Sequence, residues 1–107
     1  PKFLVLATQR KVPGAAEVLS SERVACIIRG LRDQYPERVI IFDLPPVTAV
    51  DDVIAVLPRV DCVLLVVGSG SSSRRELEEA QRHLASWNVA GVVVNKVAEP
   101  AGAEDYY

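Results

Sequence analysis

A chain of 107 residues that is 50% hydrophobic and carries a formal charge of −2 has the length for one domain and enough apolar content for a core, which excludes a disordered segment. Charges of both signs are mixed along it, with no basic stripe for nucleic acid and no polybasic flank for a membrane surface. The apolar run 62–67 falls far short of the ~20 residues of a spanning helix, and no secretory signal opens the chain.

Phe3 to Leu6 reads as a short buried strand, and "ATQRKVPGAAEV" behind it as a long loop. Ser20 or Ser21 caps a helix whose apolar face is Val24, Ile27, Ile28 and Leu31, and "QYPER" ends it before a strand at Val39 to Phe42. Pro45 and Pro46 forbid continuation of that strand. "AVDDVIAVLPRV" supplies a short helix that opens with Asp51 and Asp52 and closes before Pro58. "CVLLVV" is apolar without alternation, as a strand covered on both faces should be, and "GSGSSS" is the turn behind it. Ser73 with Glu76 forms a capping box for a helix whose Leu77, Ala80, Leu84 and Trp87 share a face, and a last strand runs from Gly91 to Val94.

This alternation predicts an α/β fold, a parallel sheet of about four strands with helices on both faces. In such sheets the ligand sits beyond the carboxyl ends of the strands, where Asp43, the "GSGSSS" turn, Asn95 and Lys96 fall. An Asp ending a buried apolar run either holds Mg²⁺, directly or through water, or accepts hydrogen bonds from neighbouring N–H groups. The prolines behind Asp43 weight the first reading, because they fix the backbone and remove two local donors. "GSGSSS" is a turn and helix cap rather than a phosphate cradle, since it lacks the second half of a G-x-G-x-x-G and any Lys-Ser/Thr. His83 reads as a surface residue without a partner in spacing, and Trp87 as packing. Cys26 and Cys62, far apart and each within an apolar pattern, read as two buried thiols in a reducing compartment.

Taken in order, "VIIFDLPPV", "DDVIAVLPRVDCVLLVV", "ELEEAQRHL" and "GVVVNKV", with a tyrosine pair at the end, resemble the carboxyl-terminal half of the bacterial tyrosine kinases of capsule and exopolysaccharide biosynthesis. These belong to the deviant P-loop ATPases, together with the chromosome-partition ATPases. The resemblance spans nearly the whole chain and includes "EVLSSERV". It implies a partial P-loop NTPase-like (Rossmann-like) three-layer fold lacking the P-loop half, with residues 1–98 as the carboxyl-terminal portion of the kinase domain and 99–107 as a flexible tail. It further implies that Asp43 is the Walker B acid holding the Mg²⁺ water shell, and that Asn95 contacts adenine with Lys96 beside it. Asp52 matches a further acid of the family, acting on the metal or standing as an ordinary helix-start carboxylate. Tyr106 and Tyr107 match the start of the acceptor cluster, although by spacing alone they are a chain end with no role.

The implied parent transfers the γ-phosphoryl group of Mg·ATP to its own tail tyrosines and so regulates polysaccharide polymerisation or export. Its partners would be its own amino-terminal P-loop half, a membrane-anchored polysaccharide co-polymerase or adaptor, and further copies of itself. Its location would be cytoplasmic, or the cytoplasmic domain of an inner-membrane protein. The chain departs from the family in having no G-x-x-x-x-G-K-[ST] and no second acidic Walker-type motif, so by itself it is not expected to be a kinase. A start at Pro1, almost on a strand-like run, is compatible with removal of an initiator Met and also suits a piece excised from a longer protein. The rival reading is a nucleotide-free interaction module that keeps the sheet and has lost the chemistry. A phosphoacceptor receiver domain fits less well, because its acidic pair would follow the first strand, where this chain has "ATQRK".

Overall fold

In the computed structural model, which describes residues 3–49 and 51–98, the first helix begins where Gly14 takes a left-handed φ of 70°. That conformation is open to glycine and strained for residues with a Cβ. Helix α1 (Ala15–Ser20) begins inside the stretch 7–18 expected to be a loop and runs two residues past it. Two alanines and a first-turn Glu17 favour the helical state there, and α1 packs on a later helix, which offsets its shortness.

Helix α2 (Glu22–Gln34) starts at Ser21, whose Oγ accepts from the Val24 N–H at 3.4 Å. It ends at Tyr35, because the following Pro36 disfavours a helical residue before it. Ala25 is its buried residue, with Val24, Ile28 and Leu31 half-buried, whereas Ile27 at the edge of the expected stripe is exposed. The main element in contact with α2 is α1.

A 3₁₀ turn (Val47–Ala49), helix α3 (Asp51–Val56) and a second 3₁₀ turn (Leu57–Arg59) lead into strand β1 (Val63–Gly68). Pro58 falls inside the second turn, where its ring ends the α-helix without ending the coil. Helix α4 (Arg74–Leu84) carries the expected capping box: Ser73 Oγ accepts from the Glu76 N–H, and the Glu76 carboxylate accepts from the Ser73 N–H at 2.7 Å. Strand β2 (Val89–Asn95) pairs parallel to β1, with Leu65 opposite Val92, Val66 opposite Val93 and Gly68 opposite Asn95. The register slips between Val63 and Leu64, so that Ala90 is an extra residue.

Val53, Leu57 and Leu84 form the core, and Leu44, Val47, Val63, Leu65 and Trp87 pack against it. Trp87 therefore packs at the end of α4, as expected. Both α3 and α4 thus lie on the sheet face that carries Val63 and Leu65. The opposite face is bare among the described residues: Leu64 is 58% exposed, Val66 57% and Val93 43%, with Gly91 between them. Even on the helix side the cover stops short of β2, since Val92 and Val94 remain exposed.

The sheet therefore contains two of the four strands expected, and it is parallel as expected. Phe3–Leu6 and Val39–Phe42 pair with no strand among the described residues, and Val39 and Ile41 are 86% and 81% exposed. The two cysteines correct the reading as buried thiols: both are free, and both are exposed. Cys26 stands on the flank of α2 that bears Glu22 and Arg29, and Cys62 precedes the covered part of β1.

Candidate functional site

Strands β1 and β2 end together, so the turn after Gly68 and the residue pair Asn95–Lys96 share one edge of the sheet. The main-chain oxygen of Asn95 accepts from the Ser69 N–H at 2.8 Å, which ties the turn to the strand end. The turn then folds back: the Gly68 N–H donates to Ser72 Oγ at 3.0 Å, and a Cβ on Gly68 would meet Ser71 Oγ at 2.1 Å. A side chain at 68 would therefore have to turn the Ser71 hydroxyl away. The Asn95 side chain bends onto its own backbone, where Oδ1 accepts from the Lys96 N–H at 2.8 Å. Lys96 itself has φ 58°, an uncommon left-handed conformation for a residue with a Cβ. Nδ2 of Asn95 makes no hydrogen bond to a described residue, which leaves a donor at an exposed strand end.

Asp43 is exposed, follows the unpaired Val39–Phe42 and makes no side-chain hydrogen bond to a described residue. Asp52 is half-buried in the first turn of α3, where a negative charge is favoured by the helix dipole. It lines a groove of about 670 Å³ between α1, α3 and α4, together with Asp51, Thr48, Glu79 and His83, with Val12 and Ile54 on its apolar side. Asp43, Asn95 and Lys96 do not line this groove. Among the described residues no three His, Cys, Asp or Glu side chains are gathered to hold a metal ion. One carboxylate can still hold a hydrated Mg²⁺, because that ion keeps most of its water shell. Tyr106 and Tyr107 lie outside the described residues.

Sequence spacing missed part of this groove. His83 was expected to have no partner, but Glu79 Oε1 stands 3.8 Å from its Nε2, an ion pair when the imidazole is protonated. The i, i+4 spacing on α4 was the available signal. Thr48 and Glu79 carried no signal of their own. Two carboxyl groups elsewhere sit below the ordinary carboxylate range. Glu76 is lowered by the hydrogen bonds it accepts from the backbone and hydroxyl of Ser73, and Glu22 by the Arg29 guanidinium. Both serve helix α4 and helix α2 locally, and neither lies in the groove.

No helix among the described residues is long and apolar enough to cross a membrane. Comparison with protein-family models finds no match, and comparison with curated proteins finds no relative.

Proposed function

We propose that this chain is the carboxyl-terminal portion of a tyrosine autokinase of capsule or exopolysaccharide biosynthesis, whose P-loop half lies elsewhere in the parent. The reading begins from the ordered run "VIIFDLPPV", "DDVIAVLPRVDCVLLVV", "ELEEAQRHL" and "GVVVNKV". The structural observation that supports it most is the sheet covered on one side. Among the described residues, an apolar bare face, a free outer edge on β1 and an unpaired Val39–Phe42 are what a fold lacking one strand-and-helix unit leaves behind. In the completed protein, Phe3–Leu6 and Val39–Phe42 would join β1 and β2 in a parallel sheet of about four strands belonging to this chain. Helices would then cover both faces.

In this reading Asp43 and Asp52 serve the Mg²⁺ ion, and Asn95, whose Nδ2 donates to no described residue, meets the adenine of ATP beside Lys96. Tyr106 and Tyr107 open the acceptor cluster. The protein would act in the cytoplasm as a homo-oligomer with a membrane-anchored polysaccharide co-polymerase. Bound Mg·ATP supplies the phosphoryl group. What these residues contribute is a carboxylate to hold the ion and an amide to orient the base.

The test has two steps. The coding sequence upstream of Pro1 should contain G-x-x-x-x-G-K-[ST]; a parent without it would be the nucleotide-free interaction module instead. In the parent, Asp43→Asn should keep the fold by circular dichroism yet lose most tyrosine autophosphorylation, because the amide removes the charge that holds the metal. Undiminished phosphotyrosine in that variant would take Asp43 out of the mechanism. The 107-residue chain alone should bind Mg·ATP no tighter than about millimolar, since it lacks the backbone N–H cradle for phosphates.

A further inference from the structure

Arg59 makes three long-range hydrogen bonds that no motif in the sequence announces. Its Nε donates to the Leu19 carbonyl at 3.3 Å, and its terminal guanidinium nitrogen donates to the carbonyls of Ser20 at 2.7 Å and Ser21 at 3.4 Å. The Leu19 and Ser20 carbonyls are the last of α1, acceptors that a helix end leaves without an intrahelical partner, and the Ser21 carbonyl, which already accepts from the Ala25 N–H at 3.2 Å, takes Arg59 as a second donor. A cation there also suits the negative end of the α1 dipole. Among the described residues, the other side-chain hydrogen bond that reaches across the chain is Asn88 to the Asp61 carbonyl, which lies within the sheet unit.

Apart from Arg59, the two helices are attached through the packing of α1 on α3 and through Ala25, their one fully buried residue among those described. Helix α2 packs chiefly on α1, and α1 in turn packs on α3. The pair is entered through Gly14 at its left-handed φ and left through residues 36–43, which carry no ladder. The chain rejoins the core at Leu44. Ala15 and Ala16 of α1 form one wall of the groove that holds Asp51 and Asp52.

We propose that α1 and α2 form a hinged arm which Arg59 latches shut over the Asp51–Asp52 groove, and that the arm opens as a unit while β1, α4 and β2 stay folded. This inference does not rest on the kinase reading. Opening exchanges three charge-assisted hydrogen bonds and the α1–α3 contact for water, and it frees Asp52 on the side that α1 covers. Such a local opening is drawn from the weakly packed end of a fold, as residues with few buried apolar contacts are.

Hydrogen exchange followed by mass spectrometry on the 107-residue chain tests this directly. In the unmodified chain, amides within 17–31 should exchange faster, and with a weaker dependence on denaturant, than those of Val63–Gly68 and Val89–Asn95. Arg59→Met keeps the aliphatic stem and removes the donors. It should speed exchange in 17–31 at least tenfold while changing the two strands less than twofold. Equal acceleration in both regions, or none in either, overturns the latch. Should Arg59→Met fail to fold, the unmodified chain decides alone: one shared opening for arm and strands would mean there is no separate arm.

Discussion

The stretch from Phe3 to Phe42 and the stretch from Val63 to Asn95 are written in the same pattern, an apolar run, an amphipathic helix and a second apolar run. In the later stretch the helix lays Ala80 and Leu84 into the core and the two runs become β1 and β2. In the earlier one α2 packs chiefly on α1, and the flanking runs pair with no strand among the described residues. Two local differences separate them. Short turns at 69–73 and 85–88 return the later helix at once to its strands, so little loop-closure entropy opposes pairing, whereas α1 and a long approach intervene in the earlier one. The later turn is also pinned by Ser72 and Ser73, while the earlier exit has no comparable anchor to a strand. The covered strand β1 in turn gives β2 a ladder to join, although β2 itself stays largely exposed.

The largest effects should come from the core that serves only the later stretch. Leu57, at 2% exposure, joins Val53 and Leu84. Leu57→Ala should lower stability in urea titrations by about 2–5 kcal/mol, the usual range for a buried leucine lost to a cavity. Ile27→Ala on exposed α2 should lower it by roughly 0.5 kcal/mol or less. Similar losses at the two sites would mean that the earlier stretch is as integral to the fold as the later.

Next in size is the contrast between the two faces of β1. Leu65 faces the helices and Val66 the bare side. Leu65→Lys should leave little folded protein, because a charge would be pressed into the apolar layer. Val66→Lys should fold as before and reduce self-association at high concentration, since an uncovered apolar face invites a second copy or another partner. Sedimentation that is monomeric with Val66 intact would deny that the face needs cover at all.

Much of the later stretch was legible in the residues. "CVLLVV", the Ser73–Glu76 box and the Ala80–Leu84–Trp87 stripe fix β1, α4 and its packing through local chemistry, and the parallel pairing follows from the helical connection. The continuous apolar run in β1 was read as a strand covered on both faces, and that cover is not present in the described residues. Pattern reports what a surface is suited to touch, not whether the partner is there. The same gap hid α1, whose six residues are too few for periodicity and are held by packing on α3. It also hid the exposure of Cys26 and Cys62. Of the candidate site, Asn95 and Lys96 at a strand end and Asp52 at a helix start were legible as positions, whereas Asp43 follows a run that pairs with no strand among the described residues. That Asp52 shares a groove with Glu79 and His83 depends on how α4 lies across α3, which no local spacing encodes.

A smaller contrast lies in the helix caps. The Ser73 box on α4 joins two groups reciprocally, with bonds of 3.2 Å and 2.7 Å, while Ser21 offers α2 a single acceptor at 3.4 Å. Ser73→Ala should cost about 1 kcal/mol in denaturant titration and Ser21→Ala about 0.5 kcal/mol, the low end of the range for such caps. A larger loss at Ser21 would indicate that the α2 cap, with its carbonyl held by Arg59, is a stronger junction than its hydrogen-bond length suggests.

The smallest effect concerns the two lowered carboxyl groups, one in each stretch. Glu76 and Glu22 both fall below the ordinary value of 4.5, the first through hydrogen bonds from Ser73 and the second through Arg29. A carboxyl whose folded pKa is depressed favours the folded state fully above its unfolded value, and that contribution fades as pH falls through the folded value. Stability should therefore be level near neutrality and decline as pH drops from about 4.5 into the depressed range, with Glu76→Gln flattening part of the decline. Salt separates the causes. At about 1 M the screening length shrinks to roughly 3 Å, so the exposed Glu22–Arg29 pair should weaken and Glu22 should titrate nearer its ordinary value. Glu76 should hardly move, because its partners are short, local dipolar bonds within the first turn of α4. Carboxyl-carbon NMR titrations at low and high salt measure both groups in one sample. If Glu76 shifts with salt as far as Glu22 does, then charge and not the capping box governs the start of α4.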